Sequence, residues 1–250
     1  MGGDNAPEAN LLGAYLAYKE LDSNEKIVLV GDTKLANQWF SSNKIDSSVF
    51  DFIHANEVIH MNEHATKALR KKPNNSISVG FQALKNKEID VFSSSGNSGA
   101  MLVGSMFSIG PVKGVIRPGI TSILPKENGG VGLILDVGVN ADCKPDVLFQ
   151  FAILGSLFAE NVYNIKNPKV GLLNIGEEKG KGNLLTQATY QLLEDNDDIN
   201  FIGNVEGRDL FNDKSDVIVC DGFTGNVVLK LAESFYSLIN KKNIKDDYFD

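Results

Sequence analysis

The chain has 250 residues, 22% of them charged and 42% apolar, with a formal net charge of −8. That length buries a full core in one domain or two, and that balance is ordinary for a globular protein. The acidic excess argues against a general nucleic-acid binder, whose surface is basic. No charged-then-apolar leader opens the chain, and the longest apolar stretch, near 148–159, is broken by Gln150 and too short to span a bilayer. These features point to a cytoplasmic chain. Cys143 and Cys220 lie far apart, and Cys220 falls in a strand pattern, so a buried thiol rather than a disulfide is expected.

In chain order, the pattern predicts a helix over 6–21 with Pro7 in its first turn, a strand over 26–30 and a helix over 33–42. A strand over 49–54 follows, then helices over 63–72 and 76–87, split by Pro73-Asn74-Asn75. Next come a strand over 89–93, a helix over 97–107, and strands over 120–124 and 131–136. A long helix over 146–161 starts behind Pro145, followed by a strand over 169–174, a helix over 184–193 and a short strand over 200–202. The last strand, over 217–220, runs into a helix opened by Thr224, Gly225 and Asn226. Strands alternating with helices imply an α/β fold with a mainly parallel sheet covered on both faces. The chain is expected to form one domain over 1–250, with 110–119, rich in Gly and Pro, the best candidate seam.

The functional signal lies in what ends the strands. Ser95-Gly96-Asn97-Ser98-Gly99-Ala100 follows one strand and opens a helix, where small residues let backbone N–H groups approach a phosphate. It matches neither the P-loop nor the dinucleotide fingerprint, and a plain tight turn uses the same residues. Leu135-Asp136-Val137-Gly138-Val139-Asn140 closes another strand, with Asp142 beyond it. Two aspartates suit a metal site, though loop aspartates more often cap helices. Asn174 to Asn183 closes a third strand and carries Lys179 and Lys181 among glycines, able to reach an anion or simply to form a solvated loop. Asp221-Gly222-Phe223-Thr224-Gly225-Asn226 is the fourth such turn. Ligands of open α/β sheets sit at the carboxyl ends of strands, and free N–H groups at a helix start favour an anion.

Other polar clusters are weaker. Arg70-Lys71-Lys72 ends a helix, where cations suit the macrodipole, and its Arg can also pair bidentately with an anion. His60 and His64 can share a helix face as an i,i+4 pair, but no cysteine or metal motif accompanies them and surface histidines are the simpler reading. No nucleophile elbow or triad can be read.

Taken together, Met1-Gly2-Gly3-Asp4-Asn5-Ala6-Pro7, Ser95 to Ala100, Leu135 to Asn140, Asn174-Ile175-Gly176-Glu177-Glu178 with Lys181-Gly182, and Asp221 to Val227 occur in the order seen in bacterial phosphate acyltransferases of the PlsX type. The resemblance runs through nearly the whole chain. It implies a three-layer α/β/α fold similar to phosphate acetyltransferases and isocitrate dehydrogenase-like proteins. It also implies transfer of a long-chain acyl group from acyl carrier protein to inorganic phosphate, giving an acyl phosphate for phospholipid synthesis. Family members are typically homodimers associated peripherally with the membrane.

Phosphate is itself an anionic nucleophile, so positioning and preorganised donors can supply most of the acceleration. On this reading Gly96, Asn97, Ser98 and Gly99 cradle phosphate, faced by Thr224, Gly225 and Asn226. Lys181 is the expected catalytic cation, with a covalent role the less favoured alternative. Lys179 would lower its pKa by repulsion, and Glu177 and Glu178 would oppose this. Asp4, Asn140, Asn174 and Asp221 order the loops or orient phosphate. The chemistry requires no metal or other cofactor. Acyl carrier protein is acidic, so docking must use a local basic patch, with Arg70, Lys71, Lys72, Lys113 and Arg117 as candidates.

The family pattern carries an apolar strand before Met-Gly-Gly-Asp and continues beyond the last helix through a helical hairpin. Against it, this chain reads as truncated at both ends, with a charged tail over 241–250. Coenzyme A-dependent phosphate acetyl- or butyryltransferases and a non-catalytic scaffold that binds acyl carrier protein are the rival readings. A dehydrogenase is disfavoured by the missing glycine fingerprint.

Overall fold

The computed structural model describes residues 1–242; the tail predicted over 241–250 lies, beyond Lys242, outside the described residues. The chain divides into two compact units, Met1–Val112 and Lys113–Asp250, and the division falls inside the stretch 110–119.

The first unit contains α1 (Glu8–Tyr18), β1 (Val28–Gly31), α2 (Thr33–Ser42), β2 (Asp51–His54), α3 (Ala65–Lys71), α4 (Ser76–Lys85) and α5 (Ser98–Ser108). β1 and β2 pair in parallel, with Val28 opposite Asp51 and Gly31 opposite His54. Short polar residues start three of the helices: Asp32 accepts from the N–H groups of Lys34 and Leu35, Asn75 from those of Ile77 and Ser78, and Asn97 from that of Ala100. One apolar cluster gathers Leu11, Leu29, Ala36, Phe40 and Phe50, with the Phe40 and Phe50 rings stacked 5.0 Å apart. A second gathers Ile59, Ala68, Ile77, Phe81 and Ala100.

Two expectations need correction in this unit. The segment 89–93 is no strand; it has no ladder partner among the described residues, and Val91 is 80% exposed. β-propensity needs a neighbouring strand to become structure. The helix expected over 63–72 begins at Ala65 with His64 as its N-cap, so His60 lies outside it and the two histidines share no helix face.

The second unit contains β3 (Thr121–Pro125), β4 (Val131–Leu135), α6 (Pro145–Tyr163), β5 (Lys169–Leu173), α7 (Leu184–Glu194), β6 (Asn200–Val205), β7 (Val217–Val219) and α8 (Gly222–Lys241). The strand order is β3-β4-β7-β5-β6; β3 runs antiparallel to β4 and the other pairs are parallel. Alternation sorts the strand residues onto two faces. Leu133, Leu135, Val170, Leu172, Val217 and Val219 pack under α6 and α7, against Leu148, Phe151 and Leu193. Ile134, Leu173, Val205 and Ile218 face the other way, with Val228 and Leu229 of α8 beside them. The unit is thus a three-layer α/β/α sandwich. Gly155 lets α6 close on the sheet, since a Cβ there would stand 2.6 Å from Val217 Cγ1.

At the amino edge of this sheet Asp216 acts as a clasp. One carboxylate oxygen accepts from Lys126 Nζ at 2.9 Å and the other from the Lys169 N–H at 2.8 Å. Lys126 is only 5% exposed and also donates to the Ser215 carbonyl. The β3–β4 hairpin and the starts of β5 and β7 are thereby joined. Removing the carboxylate takes away a charge-assisted bond to Lys126 and the acceptor of the Lys169 N–H, so Asp216→Ala is expected to cost about 1.5–3 kcal/mol. Thermal unfolding checks this: a midpoint within about 2 °C of the parent's would remove the clasp.

Candidate active site

The carboxyl ends of β4, β7 and β5 are neighbours at one edge of the second unit, because these strands are adjacent and parallel. Three of the polar turns close them. The turn after β4 is organised by Asp136, which is fully buried. Its Oδ1 accepts from the Ile120 N–H at 3.0 Å; its Oδ2 accepts from the Asn140 N–H at 2.6 Å and from Asn140 Nδ2 at 2.8 Å. Asn140 Nδ2 also donates to the Pro118 carbonyl. Asp136 caps no described helix; it is the clamp of its own loop. Asp142 caps nothing either: Lys144 is the N-cap of α6, and the Asp142 carbonyl accepts from Arg117.

The turn after β7 is seated directly on that loop. The Gly222 N–H donates to the Asn140 carbonyl, and the Gly138 N–H to the Gly222 carbonyl. A Cβ on Gly225 would lie 2.0 Å from the Asp136 carbonyl oxygen, and one on Gly222 would lie 2.7 Å from the Asn140 nitrogen. Only glycine permits this approach. Asp221 caps α8, accepting from the Thr224 N–H and hydroxyl at 2.8 Å each. The helix start therefore differs from the open anion nest expected: the N–H groups of Gly222 and Thr224 already have acceptors, and a carboxylate meets the dipole. The Asn226 side chain stands exposed beside Gly138.

The turn after β5 is ordered by Asn174, whose Oδ1 accepts from the Ile175 N–H and whose Nδ2 donates to the Lys181 carbonyl at 3.1 Å. The charges around it are arranged differently from the expectation. Lys179 pairs with Glu194 and lies over the Tyr190 ring, and Glu194 raises its pKa. Glu177 pairs with Lys214 at 2.7 Å, which holds its carboxyl below the usual range. Both are spent on these partners. Lys181 is exposed, and its ammonium makes no ion pair among the described residues. Asn204 of β6, buried behind this loop, is a site residue the sequence pattern missed.

In the first unit the Gly2–Gly3 segment meets the 95–97 turn. Ser95 Oγ donates to the Gly2 carbonyl, and Asn10 Nδ2 donates to Ser95 Oγ. Gly2, Gly3 and Asp4 line a cavity of about 400 Å³ with Asp32, Val58 and His60. Asn97, expected to be catalytic, is 7% exposed, and both atoms of its amide have partners. Oδ1 caps α5, while Nδ2 donates to the carbonyls of His60, Met61 and Glu63. Its side chain thereby shapes the turn. Ser98 is exposed, and Gly99 follows it in the first turn of α5.

The basic patch is also smaller than expected. Arg70 and Lys71 are exposed, but Lys72 turns inward to Glu63 at 2.6 Å and to the Val58 carbonyl at 2.7 Å. That bond and the His60 N–H hold the Glu63 carboxyl low.

Both cysteines are free thiols. Burial, then the charges of Asp136 and Asp221, pushes the Cys143 thiol up to about 11. Burial raises Cys220 as well, and its Sγ lies 3.6 Å from the Asp136 carbonyl oxygen.

Among solved structures, the EutD phosphotransacetylase from Staphylococcus aureus matches 91% of this chain and 79% of its own, with a TM-score of 0.62 at 14% identity. A branched-chain phosphotransacylase from Enterococcus faecalis V583 matches 94% and 83%, with a TM-score of 0.58 at 14% identity. The fold is that of the phosphotransacylases. In sequence, residues 1–247 match the family described as fatty acid synthesis protein. The phosphate acyltransferase of Acetivibrio thermocellus is 48% identical, over 98% of this chain and 74% of its own length. That of Dictyoglomus turgidum is 46% identical, over 93% and 69%. The chain belongs to this family, the PlsX-type phosphate acyltransferases, enzymes of fatty acid and phospholipid synthesis. Among the described residues, no helix is long and apolar enough to cross a membrane.

With a pKa of about 11, Cys143 is about one part in a thousand thiolate at pH 8. Iodoacetamide at pH 8 should therefore label neither thiol in the folded chain and both after unfolding in urea. Rapid native labelling of Cys143 would contradict its raised pKa.

Proposed function

We propose that the chain moves a fatty acyl group from the thioester of acyl carrier protein to inorganic phosphate. A phosphate oxygen attacks the thioester carbonyl, the carbon–sulfur bond breaks, and acyl phosphate and free thiol leave. By the same reading the enzyme works as a homodimer, associated peripherally with the membrane. The observation that carries the proposal is the exposed ammonium of Lys181, unpaired among the described residues, on a loop at the same sheet edge as the 136–140 and 221–226 turns.

Phosphate brings its own negative charge to the reaction, so no strong base is needed. What must be stabilised is the oxyanion that grows on the thioester carbonyl, and a cation held in place does this best. Lys181 has that role, and the exposed amide of Asn226 is the accompanying donor. Asp136, Asn140, Asn174 and Asp221 act at one remove, holding the turns. In the first unit, taken by itself, Asn97 caps the helix start that carries Ser98 and Gly99.

Phosphate-dependent thiol release from acyl carrier protein thioester is the direct assay, with coenzyme A thioesters as the competing donor. Lys181→Met is expected to lower kcat by about 100- to 1,000-fold. Near-normal turnover would remove Lys181 from the chemistry, whereas a trapped acyl-lysine would make it the nucleophile.

Arg70 and Lys71 are the proposed contacts for the acidic carrier protein. Reversing both charges should raise the KM for the carrier-bound donor about 5- to 50-fold and fade as salt is added. The KM for a coenzyme A thioester should not move. Equal effects on both donors would rule out a docking role.

A further inference from the structure

Asn204 is 3% exposed, an amide near the end of a mostly apolar strand. Its placement comes from an irregularity in β6. Val170 pairs with Phe201 and Leu172 with Asn204, so two steps along β5 are met by three along β6. Gly203, with φ at +92°, lies in that extra step. A bulge of this kind re-aims the side chains that follow it. Asn204 ends on the face it shares with Leu172, and its amide reaches the loop after β5.

There the amide closes a ring of hydrogen bonds. Asn204 Nδ2 donates to the Glu178 carbonyl at 3.0 Å, and the Lys181 N–H donates to that same oxygen at 3.0 Å. The Lys181 carbonyl accepts from Asn174 Nδ2 at 3.1 Å, and that nitrogen also donates to Asn204 Oδ1 at 3.1 Å. Both backbone polar groups of Lys181 are held within this ring. Asn204 must offer one donor and one acceptor at once, which an amide does and a carboxylate or an alkyl group of similar size does not.

We propose that Asn204 is the positioning residue of Lys181 in acyl transfer: its two amide atoms hold the backbone around that lysine, so the ammonium is aimed before substrate arrives. This rests on the reading of Lys181 as the catalytic cation. Asn204 acts through that residue and touches no reacting atom. A strand residue that is invisible from the surface thus controls how well an exposed side chain performs.

The test measures phosphate-dependent thiol release by Asn204→Leu, Lys181→Met and the double variant, together with amide hydrogen exchange. Asn204→Leu should lower kcat about 10- to 100-fold, since misplacing a catalytic group by about 1 Å costs this much. The KM values for phosphate and thioester should stay within about 2-fold. Exchange at the Lys181 N–H should quicken at least about 10-fold while the N–H groups of β4, β5 and β7 keep their protection. In the Lys181→Met background the Asn204 substitution should cost nothing further. An additive loss in the double variant, or unchanged exchange at Lys181, would overturn the role of Asn204 and leave Lys181 standing. Near-normal turnover by Lys181→Met alone would instead overturn the Lys181 reading and this proposal with it. If the leucine variant fails to fold, Asn204→Asp, which keeps the size and loses the donor, carries the same readouts. Where Lys181→Met leaves no measurable turnover, the exchange result decides.

Discussion

The buried carboxylate of Asp136 is held by the N–H groups of Ile120 and Asn140 and by the Asn140 amide. A charge taken out of water is tolerated only when its lone pairs are met, and these donors meet them. The consequence spreads outward. Once the loop closes on Asp136, its backbone presents the Asp136 and Asn140 carbonyls to the chain leaving β7. Gly222 and Gly225 fit against them because they carry no side chain. The start of α8 is thus set by a loop some eighty residues earlier in the chain, and Asp221 then completes it as a cap.

The sheet of the second unit is fastened at both edges by aspartates of different character. Asp216, at the amino edge, is a partner in an ion pair and takes a backbone N–H as well. Asp136, at the carboxyl edge, relies on N–H donors. One device ties strands together; the other shapes a surface. The three-layer core supplies the cohesion between them, through alternating residues buried under α6 and α7 on one face and beside α8 on the other. This division lets the carboxyl-edge loops be polar and glycine-rich without loosening the sheet.

Much of this was legible in the sequence. The helix–strand alternation, the parallel sheet and the polar turns followed from periodicity and punctuation, and helix α2 coincides with its expected bounds. The losses have physical causes. Residues 89–93 carry strand-forming types, but strand formation depends on a neighbour that local sequence cannot supply. Asn97 sits at the start of its expected helix, but local sequence could not show that its side-chain nitrogen is taken by carbonyls more than thirty residues away. Lys72 looked like part of a surface run, yet one side chain of the run turns inward to Glu63. Asn204 escaped because the bulge at Gly203 shifts which face the following residues occupy, and period-two reading assumes no such shift.

β7 lies at the centre of the five-stranded sheet, between β4 and β5, although it is the last strand of that sheet in the chain. During synthesis β4, β5 and β6 therefore emerge before the strand that joins β4 to β5. Until residues 217–219 leave the ribosome, β4 and β5 each keep an unsatisfied inner edge and an uncovered apolar row. Such edges are templates for the wrong partner. The unit is completed by insertion, not by growth from one side, so its assembly is dominated by contacts between distant parts of the chain, the kind that close slowly. The strand that carries the Asp221 turn to the site is also the keystone whose arrival turns two open half-sheets into one.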